Sequence, residues 1–151
     1  MTPIVRRGTI DDLDQLAVLF DQYLVFYEKE SNLSRHTQYL KERIENNEAV
    51  IFVTCDATNV NELIGFALIY STFSSTRLEK MLILNDLYVL PTIRKGGVGK
   101  LLITSCIEHA KASNAAILRL RTAVDNTTAQ GLYHKMGFIR DEAFYTYNIN
   151  F

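Results

Sequence analysis

The chain has 151 residues, of which 48% are hydrophobic and 22% are charged. This length and composition are typical of one globular domain with a buried core, and they argue against a disordered or fibrous chain. No apolar run approaches the roughly 18 residues of a membrane span, and the first twelve residues do not resemble a signal peptide. We therefore predict a single cytoplasmic domain over residues 1–151.

The formal net charge is −1, but it is unevenly distributed along the chain. Residues 1–62 hold 11 acidic and 6 basic residues, whereas residues 63–151 hold 6 acidic and 10 basic residues. The basic half favours an anionic ligand there, and the acidic half suits either a cationic ligand or a solvated surface.

Metal and nucleic-acid sites are not predicted. Cys55 and Cys106 have no second ligand at metal-binding spacing, and the three histidines are scattered. The basic residues of the second half cluster at one loop without an aromatic array around them, which disfavours a nucleic-acid surface.

The first half of the chain predicts one strand, two helices and three strands. Ile4 to Arg7 is a short strand, and apolar residues recur at helical spacing from Leu13 to Leu24. A second helix is expected around Arg35 to Asn46. The three strands that follow are predicted to pair as antiparallel neighbours and to span about residues 50–54, 63–70 and 80–89.

The second half predicts a crossover and a closing hairpin. A helix with Val98, Leu102 and Cys106 on one face leads to a strand over about 116–122, so the fourth and fifth strands should be parallel. A helix from about Thr127 to Met136 ends at Gly137, and two final strands are expected at 138–139 and 143–149. The expected fold is α/β (α+β), a mixed sheet of six to seven strands with about four helices on both faces.

A glycine-rich basic loop precedes the crossover helix. The first N–H groups of a helix have no intrahelical partner and carry the positive end of the helix dipole, so they favour an anion. The alternative is a tight connection with a solvated basic rim. The spacing matches neither a P-loop nor a dinucleotide site. The loop residues are Arg94, Lys95, Gly96, Gly97, Val98, Gly99 and Lys100.

Three sequence blocks occur in order and together resemble the GNAT superfamily of acetyl-CoA-dependent N-acetyltransferases. The blocks are Asp86-Leu87-Tyr88-Val89-Leu90-Pro91, then Arg94-x-x-Gly97-x-Gly99, then Asp125-Asn126-x-x-Ala129-x-x-Leu132-Tyr133-x-Lys135-x-Gly137-Phe138. The resemblance is specific over about residues 80–140, and the earlier part of the chain contributes topology only.

The resemblance implies direct acetyl transfer from acetyl-CoA to an amine, without a covalent acyl-enzyme. The fourth strand, through Leu87, Tyr88 and Val89, would pair with the pantetheine arm and help to stabilise the oxyanion. The loop from Arg94 to Lys100 would bind the pyrophosphate. Asn126, Ala129 and Tyr133 fall at positions that contact the cofactor in this family.

Tyr133 is the candidate general acid. A phenol with a reference pKa of about 10 is protonated at neutral pH and can donate a proton to a departing thiolate, whose conjugate acid has a pKa of about 8.5. The alternative is a core aromatic, because Ala129, Leu132, Tyr133 and Met136 form a helical stripe.

The base on the amine side is less well defined. Family members that acetylate polyamines carry Glu-Asp where this chain has Asn85-Asp86. Asp86 is predicted either to bind the cationic acceptor or to relay its proton, or else to hydrogen-bond the neighbouring loop at the end of its strand.

The acceptor is predicted to be a primary amine of a polyamine, of another small molecule, or of a protein lysine or N terminus. Aromatic and acidic side chains of the first half suit such a cation. A non-catalytic acyl-CoA-binding regulatory module is the alternative function, and a homodimer is expected through the terminal strand. The acceptor candidates are Tyr23, Tyr27, Glu28, Glu30, Tyr39, Phe73 and Ser74.

Overall fold

The computed structural model describes residues 1–94 and 96–151, and the predicted loop residue Lys95 lies outside these ranges. The chain divides into two compact units, Met1–Leu120 and Arg121–Phe151. The single domain expected over residues 1–151 stays a prediction. Over the ranges described, no helix has the length and apolar character needed to cross a membrane.

The first unit is a mixed sheet with three helices. The sheet order is β1-β2-β3-β4-β5, with antiparallel pairing from β1 to β4 and parallel pairing between β4 and β5. The parallel pair confirms the crossover that the sequence predicts. The elements are β1 (Pro3–Arg7), α1 (Leu13–Phe26), α2 (Leu33–Glu45), β2 (Val50–Asp56), β3 (Asn59–Ser74), β4 (Glu79–Val89), α3 (Val98–Ala112) and β5 (Ile117–Leu120).

Short polar contacts fix where the first two helices begin. Thr9 and Asp12 form a capping box at the 3-10 helix Ile10–Asp12, which runs directly into α1. The Asn32 side chain accepts a hydrogen bond from the Arg35 amide at the start of α2. The Asp21 carboxylate joins the two helices, since it accepts hydrogen bonds from the Ser31 hydroxyl at 2.6 Å and from the Asn32 amide at 2.8 Å.

The two faces of the sheet are covered by different helices. Phe66 and Leu68 of β3 lie in one core cluster with buried residues of α1 and α2. The alternate residues Ala67 and Ile69 are also buried but point to the other face, because side chains alternate along a strand. Helix α3 contacts β1 to β5 and contributes no residue to the α1/α2 cluster. Helices therefore lie on both faces, as predicted.

The second unit contains one helix, α4 (Thr127–Lys135), and none of the described residues from 138 to 151 lies in a helix or strand. The sheet thus has five strands among the described residues, where the sequence predicts six to seven. The two closing strands were predicted from apolar alternation alone. Alternating apolar residues show that a segment is compatible with a strand, but a strand also needs a hydrogen-bonded neighbour. Phe144, Tyr145 and Ile149 are more than 80% exposed.

Leu40 is the one buried residue of α2, and it is fully inaccessible to solvent. We expect Leu40→Ala to lower the free energy of unfolding by about 2–5 kcal/mol, because the variant loses apolar burial and leaves a cavity under the helix. Chemical denaturation monitored by circular dichroism measures the change. Lys41→Ala, which removes only an exposed ion pair with Glu45, should stay within about 0.5 kcal/mol of the parent. Equal effects of the two variants would contradict the role of Leu40.

Candidate active site

A bulge in β4 determines which way its side chains face. In the β3–β4 ladder Leu68 pairs with Asp86 and Ile69 pairs with Leu84, so Asn85 is an extra residue. Leu68 and Ile69 face opposite sides of the sheet, and paired residues share a face. Asp86 and Leu84 therefore point to opposite faces although they are two residues apart. The bulge turns Asp86 toward α1 and α2.

The backbone of β4 has an open edge after the bulge. Its parallel pairing with β5 runs from Met81 opposite Ile117 to Leu84 opposite Leu120 and ends there. Among the described residues of the unit Met1–Leu120, the other edge of β4 from residue 85 to 89 therefore has no strand partner, whereas β3 remains paired on the near side. This open edge includes the three residues predicted to pair with a pantetheine arm.

Asp86 is a buried carboxylate with two hydrogen-bond donors. Asp86 is 9% exposed, and the Asn85 side-chain amide donates a hydrogen bond to its carboxylate at 3.0 Å. Tyr23 of α1 also hydrogen-bonds the carboxylate. Burial raises the pKa of Asp86 above its ordinary value, and the two hydrogen bonds only partly oppose this rise. A perturbed carboxyl group beside an open strand edge fits a site that handles a cation or a proton.

Tyr70 is a further residue of this region that the sequence analysis missed. Its hydroxyl is hydrogen-bonded to the Tyr39 hydroxyl of α2. The pKa of Tyr70 is raised, first by burial, then by that hydrogen bond and by the nearby charges of Tyr39 and Asp86. The alternation of Phe66, Leu68 and Tyr70 along β3 places Tyr70 on the α1/α2 face, but its proximity to Asp86 depends on the bulge.

The residues predicted to surround the acceptor lie in different environments. Tyr23 reaches Asp86, while Glu30 and Tyr39 help to line an open cleft of about 510 Å³ beside α1 and α2. Asp86 does not line that cleft. Phe73, near the end of β3, is 80% exposed.

The N terminus of α3 is built as the glycine loop predicts. Gly97 is its N-cap with φ of +78°, a left-handed conformation that disfavours other residues. Among the described residues, no side chain caps this helix, so the amides of its first turn have no side-chain acceptor. A Cβ added at Gly99 would meet no atom of the described residues within 4 Å. Neither packing nor backbone strain explains that glycine, whereas a ligand lying against the backbone would.

The other loop residues contribute differently. The Val98 side chain is buried, so only its backbone faces the loop, while Gly96 and Lys100 are exposed. Arg94 does not extend freely into solvent. Its Nε donates to the carbonyl oxygen of Val89 at 3.1 Å, and its guanidinium carbon lies 5.3 Å from the centre of the Phe26 ring.

The C-terminal unit holds the remaining predicted residues. The Asn126 side chain caps α4 by accepting a hydrogen bond from the Ala129 amide at 3.2 Å. Tyr133 is half-buried, and its ring meets the Phe138 ring edge-on at 5.9 Å between centres. The aromatic contact agrees with the helical stripe seen in the sequence. The acid role of Tyr133 stays a prediction.

Known proteins resemble this chain over almost its whole length. A model of the acetyltransferase (GNAT) family matches residues 14–138. An uncharacterized N-acetyltransferase of Bacillus subtilis (strain 168), YhfO, is 37% identical over 146 residues, which cover 97% of this chain and 96% of YhfO. The crystal structure of a probable acetyltransferase has a TM-score of 0.91 and 33% identity, covering 98% of this chain and 97% of that one.

A more distant structure shows the same fold. The aminoglycoside N-acetyltransferase AAC(6')-Iy, solved with the bisubstrate analogue CoA-S-monomethyl-acetylneamine, has a TM-score of 0.80 and 20% identity. The similarity covers 99% of each chain.

The raised pKa of Asp86 predicts how stability depends on pH. Between the ordinary aspartate pKa and the raised one, the folded protein binds more protons than the unfolded chain, so stability falls as pH rises through this window and stays lowered above it. Asp86→Asn removes this penalty. We expect the variant to be at least as stable as the parent at pH 7, with the difference shrinking on acidification below pH 4.

Thermal unfolding across pH measures this difference. Asp86→Ala is the matched control, because it removes the same charge but also the acceptor of the hydrogen bonds from Tyr23 and Asn85, each worth about 0.5–1.5 kcal/mol. A stability difference between the parent and Asp86→Asn that does not change with pH would contradict the raised pKa.

Proposed function

The chain belongs to the acetyltransferase (GNAT) family, and on this basis we propose that it transfers an acetyl group from acetyl-CoA to a primary amine by direct attack. The observation that carries the proposal is the edge of β4 over residues 85–89, which has no strand partner among the described residues of Met1–Leu120. In the chain this edge is followed by the N terminus of α3, which no described side chain caps. The edge of β4 offers strand-like hydrogen bonds to a pantetheine arm, and the N terminus of α3 offers amide donors to a pyrophosphate.

The described residues fit the proposed cofactor. Backbone groups of Leu87 to Val89 would hold the arm, and the first-turn amides around Gly97 and Gly99 would hold the phosphates. Lys100 and Arg94 add positive charge at the same loop. Acetyl-CoA itself supplies the activated acetyl group and the sulfur that leaves.

Asp86 is proposed to serve the amine side. An alkylammonium with a reference pKa of about 10.4 is almost wholly protonated near pH 7, so the acceptor must lose a proton before it attacks. An ionised Asp86 attracts the cation, and it can pass the released proton to water. Since Tyr23 orients this carboxylate, the tyrosine is proposed as a positioning residue.

Tyr133 is proposed to protonate the departing thiolate, and Asn126 and Ala129 of the same unit to contact the cofactor. The support is the match of these residues to the third sequence block of the family, together with the half-buried position of the ring on α4. A cytoplasmic location and a homodimer stay predictions from the sequence.

The deciding experiment measures thiol release from acetyl-CoA by the purified protein. The acceptor panel contains polyamines, amino acids, amino sugars, aminoglycosides and lysine peptides. We expect release that depends on one class of amine and falls roughly 100- to 10,000-fold in kcat for Tyr133→Phe, with little change in the KM for acetyl-CoA. Tyr145→Phe, the same change at a 91% exposed tyrosine, should behave like the parent.

Two results would count against the proposal. Equal activity of Tyr133→Phe and the parent would remove the acid role. Binding of CoA in calorimetry without release for any amine would favour the regulatory module instead.

Gly99→Ala tests the phosphate loop. Because a Cβ at this position meets no atom of the described part of the chain within 4 Å, the variant should fold with unchanged stability, or gain up to about 1 kcal/mol from the higher helix propensity of alanine. The methyl group should nevertheless hold the pyrophosphate away from the helix amides. Losing one charge-assisted hydrogen bond is worth about 1.5–3 kcal/mol, so we expect roughly tenfold weaker CoA binding or more.

Calorimetric titration with CoA and thermal unfolding measure the two effects of Gly99→Ala. Gly131→Ala in α4 is the matched control, since a Cβ there also meets no atom within 4 Å. Gly131 is not among the α4 residues proposed to contact the cofactor, so this variant should leave the affinity for CoA unchanged. A Gly99→Ala protein that binds CoA as tightly as the parent would show that the phosphates do not contact this turn.

A further inference from the structure

The guanidinium of Arg94 is held by aromatic rings and a carbonyl oxygen at the end of β4. Its central carbon lies 5.3 Å from the centre of the Phe26 ring and 5.7 Å from the centre of the Tyr88 ring. Its Nε donates to the Val89 carbonyl oxygen at 3.1 Å. Two π faces and a carbonyl oxygen form a recognition set for an organic cation. We call Phe26, Tyr88 and the Val89 carbonyl the cation cage.

The cage has a rigid half and an accessible half. Tyr88 is 6% exposed, and its ring is packed against Tyr23 and Phe66 at 5.9 and 6.2 Å between centres. Phe26, at the end of α1, is 61% exposed and is supported edge-on by Tyr27 at 5.3 Å. A ligand could therefore enter from the Phe26 side and find the Tyr88 face already in place.

The cage is continuous with the buried carboxylate. Asp86 and Tyr88 lie two residues apart on the same face of β4, beyond the bulge. Tyr23 touches both, since it hydrogen-bonds Asp86 and packs on the Tyr88 ring. A cation in the cage would thus stand beside the region that the proposed function assigns to the amine.

Arg94 has two competing partners. The family resemblance assigns this residue to the phosphates of the cofactor, whereas in this structure its guanidinium occupies the cage. An anion with several phosphates is the stronger partner for a guanidinium, because charge-assisted hydrogen bonds exceed contacts with neutral rings and carbonyls. If the phosphates draw Arg94 away, the cage is left open for another cation.

We propose that the cation cage is the binding site for a cationic group of the acceptor, an alkylammonium or guanidinium on an apolar stem, and that Arg94 fills it until the anionic cofactor is bound. The proposal rests on the proposed function for its acceptor and cofactor. Its consequence is that a bound cofactor frees the cage for the acceptor cation. By thermodynamic linkage, an occupied cage must in turn strengthen cofactor binding by the same factor.

The test uses 1-butylguanidinium as the probe and uncharged butylurea as its control, titrated by calorimetry into the cofactor-free protein. We expect Arg94→Ala to bind the probe about tenfold more tightly than the parent, because the internal cation is gone. Lys100→Ala is the matched control, since it removes one positive charge from the same loop without vacating the cage. It should bind the probe as the parent does.

Phe26→Leu in the Arg94→Ala background identifies the site. It replaces an exposed ring by an aliphatic side chain and should return probe binding to the level of the parent, while butylurea shows no difference among the variants. If Arg94→Ala binds the probe no better than Lys100→Ala, or if Phe26→Leu leaves the gain intact, the cage is not the site.

The second part of the experiment repeats the probe titration in the presence of saturating CoA. In the parent, CoA should tighten probe binding about tenfold, as Arg94→Ala does without CoA. If the affinity for the probe is the same with and without CoA, the proposal that CoA draws Arg94 out of the cage is wrong. Failure of the proposed function remains distinguishable, because the cofactor-free comparison of Arg94→Ala with Lys100→Ala requires neither CoA binding nor acetyl transfer.

Discussion

The extra residue at Asn85 is the structural constraint on which the candidate site depends. Without it, Asp86 would share a face with Leu84 and lie under α3, because residues two apart in a regular strand point the same way. The bulge reverses this direction at the position where the pairing with β5 ends. One added residue thus turns the carboxylate toward α1 on the strand segment whose far edge has no strand partner among the described residues of Met1–Leu120.

Helices α1 and α2 supply the side chains that surround the carboxylate on that face. Tyr23 of α1 satisfies the buried carboxylate and supports the Tyr88 ring, while Tyr39 of α2 is hydrogen-bonded to Tyr70 of β3. These aromatic residues belong both to the core packing and to the surroundings of the site. Shifts in the packing of α1 and α2 would therefore reach the acceptor side first, because helix α3 packs against the other face of the sheet.

The sequence predicted the regular elements well and the irregular ones poorly. Apolar periodicity located the four α-helices and the five strands of the described residues, and Gly97 lies at the start of α3 as expected. The bulge left no pattern, since alternation on either side of Asn85 is compatible with an unbroken strand. The proximity of Tyr70 to Asp86 and the placement of Arg94 on Phe26 were missed because they depend on strand register and tertiary packing. The closing strands were overpredicted because apolar alternation specifies a face but no partner.

Burying Asp86 has an energetic consequence that a bound cation can reverse. Burial raises the pKa of the carboxyl group, which means that the surroundings disfavour its charged form. A positive charge within about 4–6 Å favours that charged form and lowers the pKa again. The carboxylate and an acceptor cation therefore stabilise each other's charge only when both are present. A site of this kind slightly lowers the stability of the folded protein without a ligand and is stabilised when a cation binds. This is the expected compromise between stability and activity.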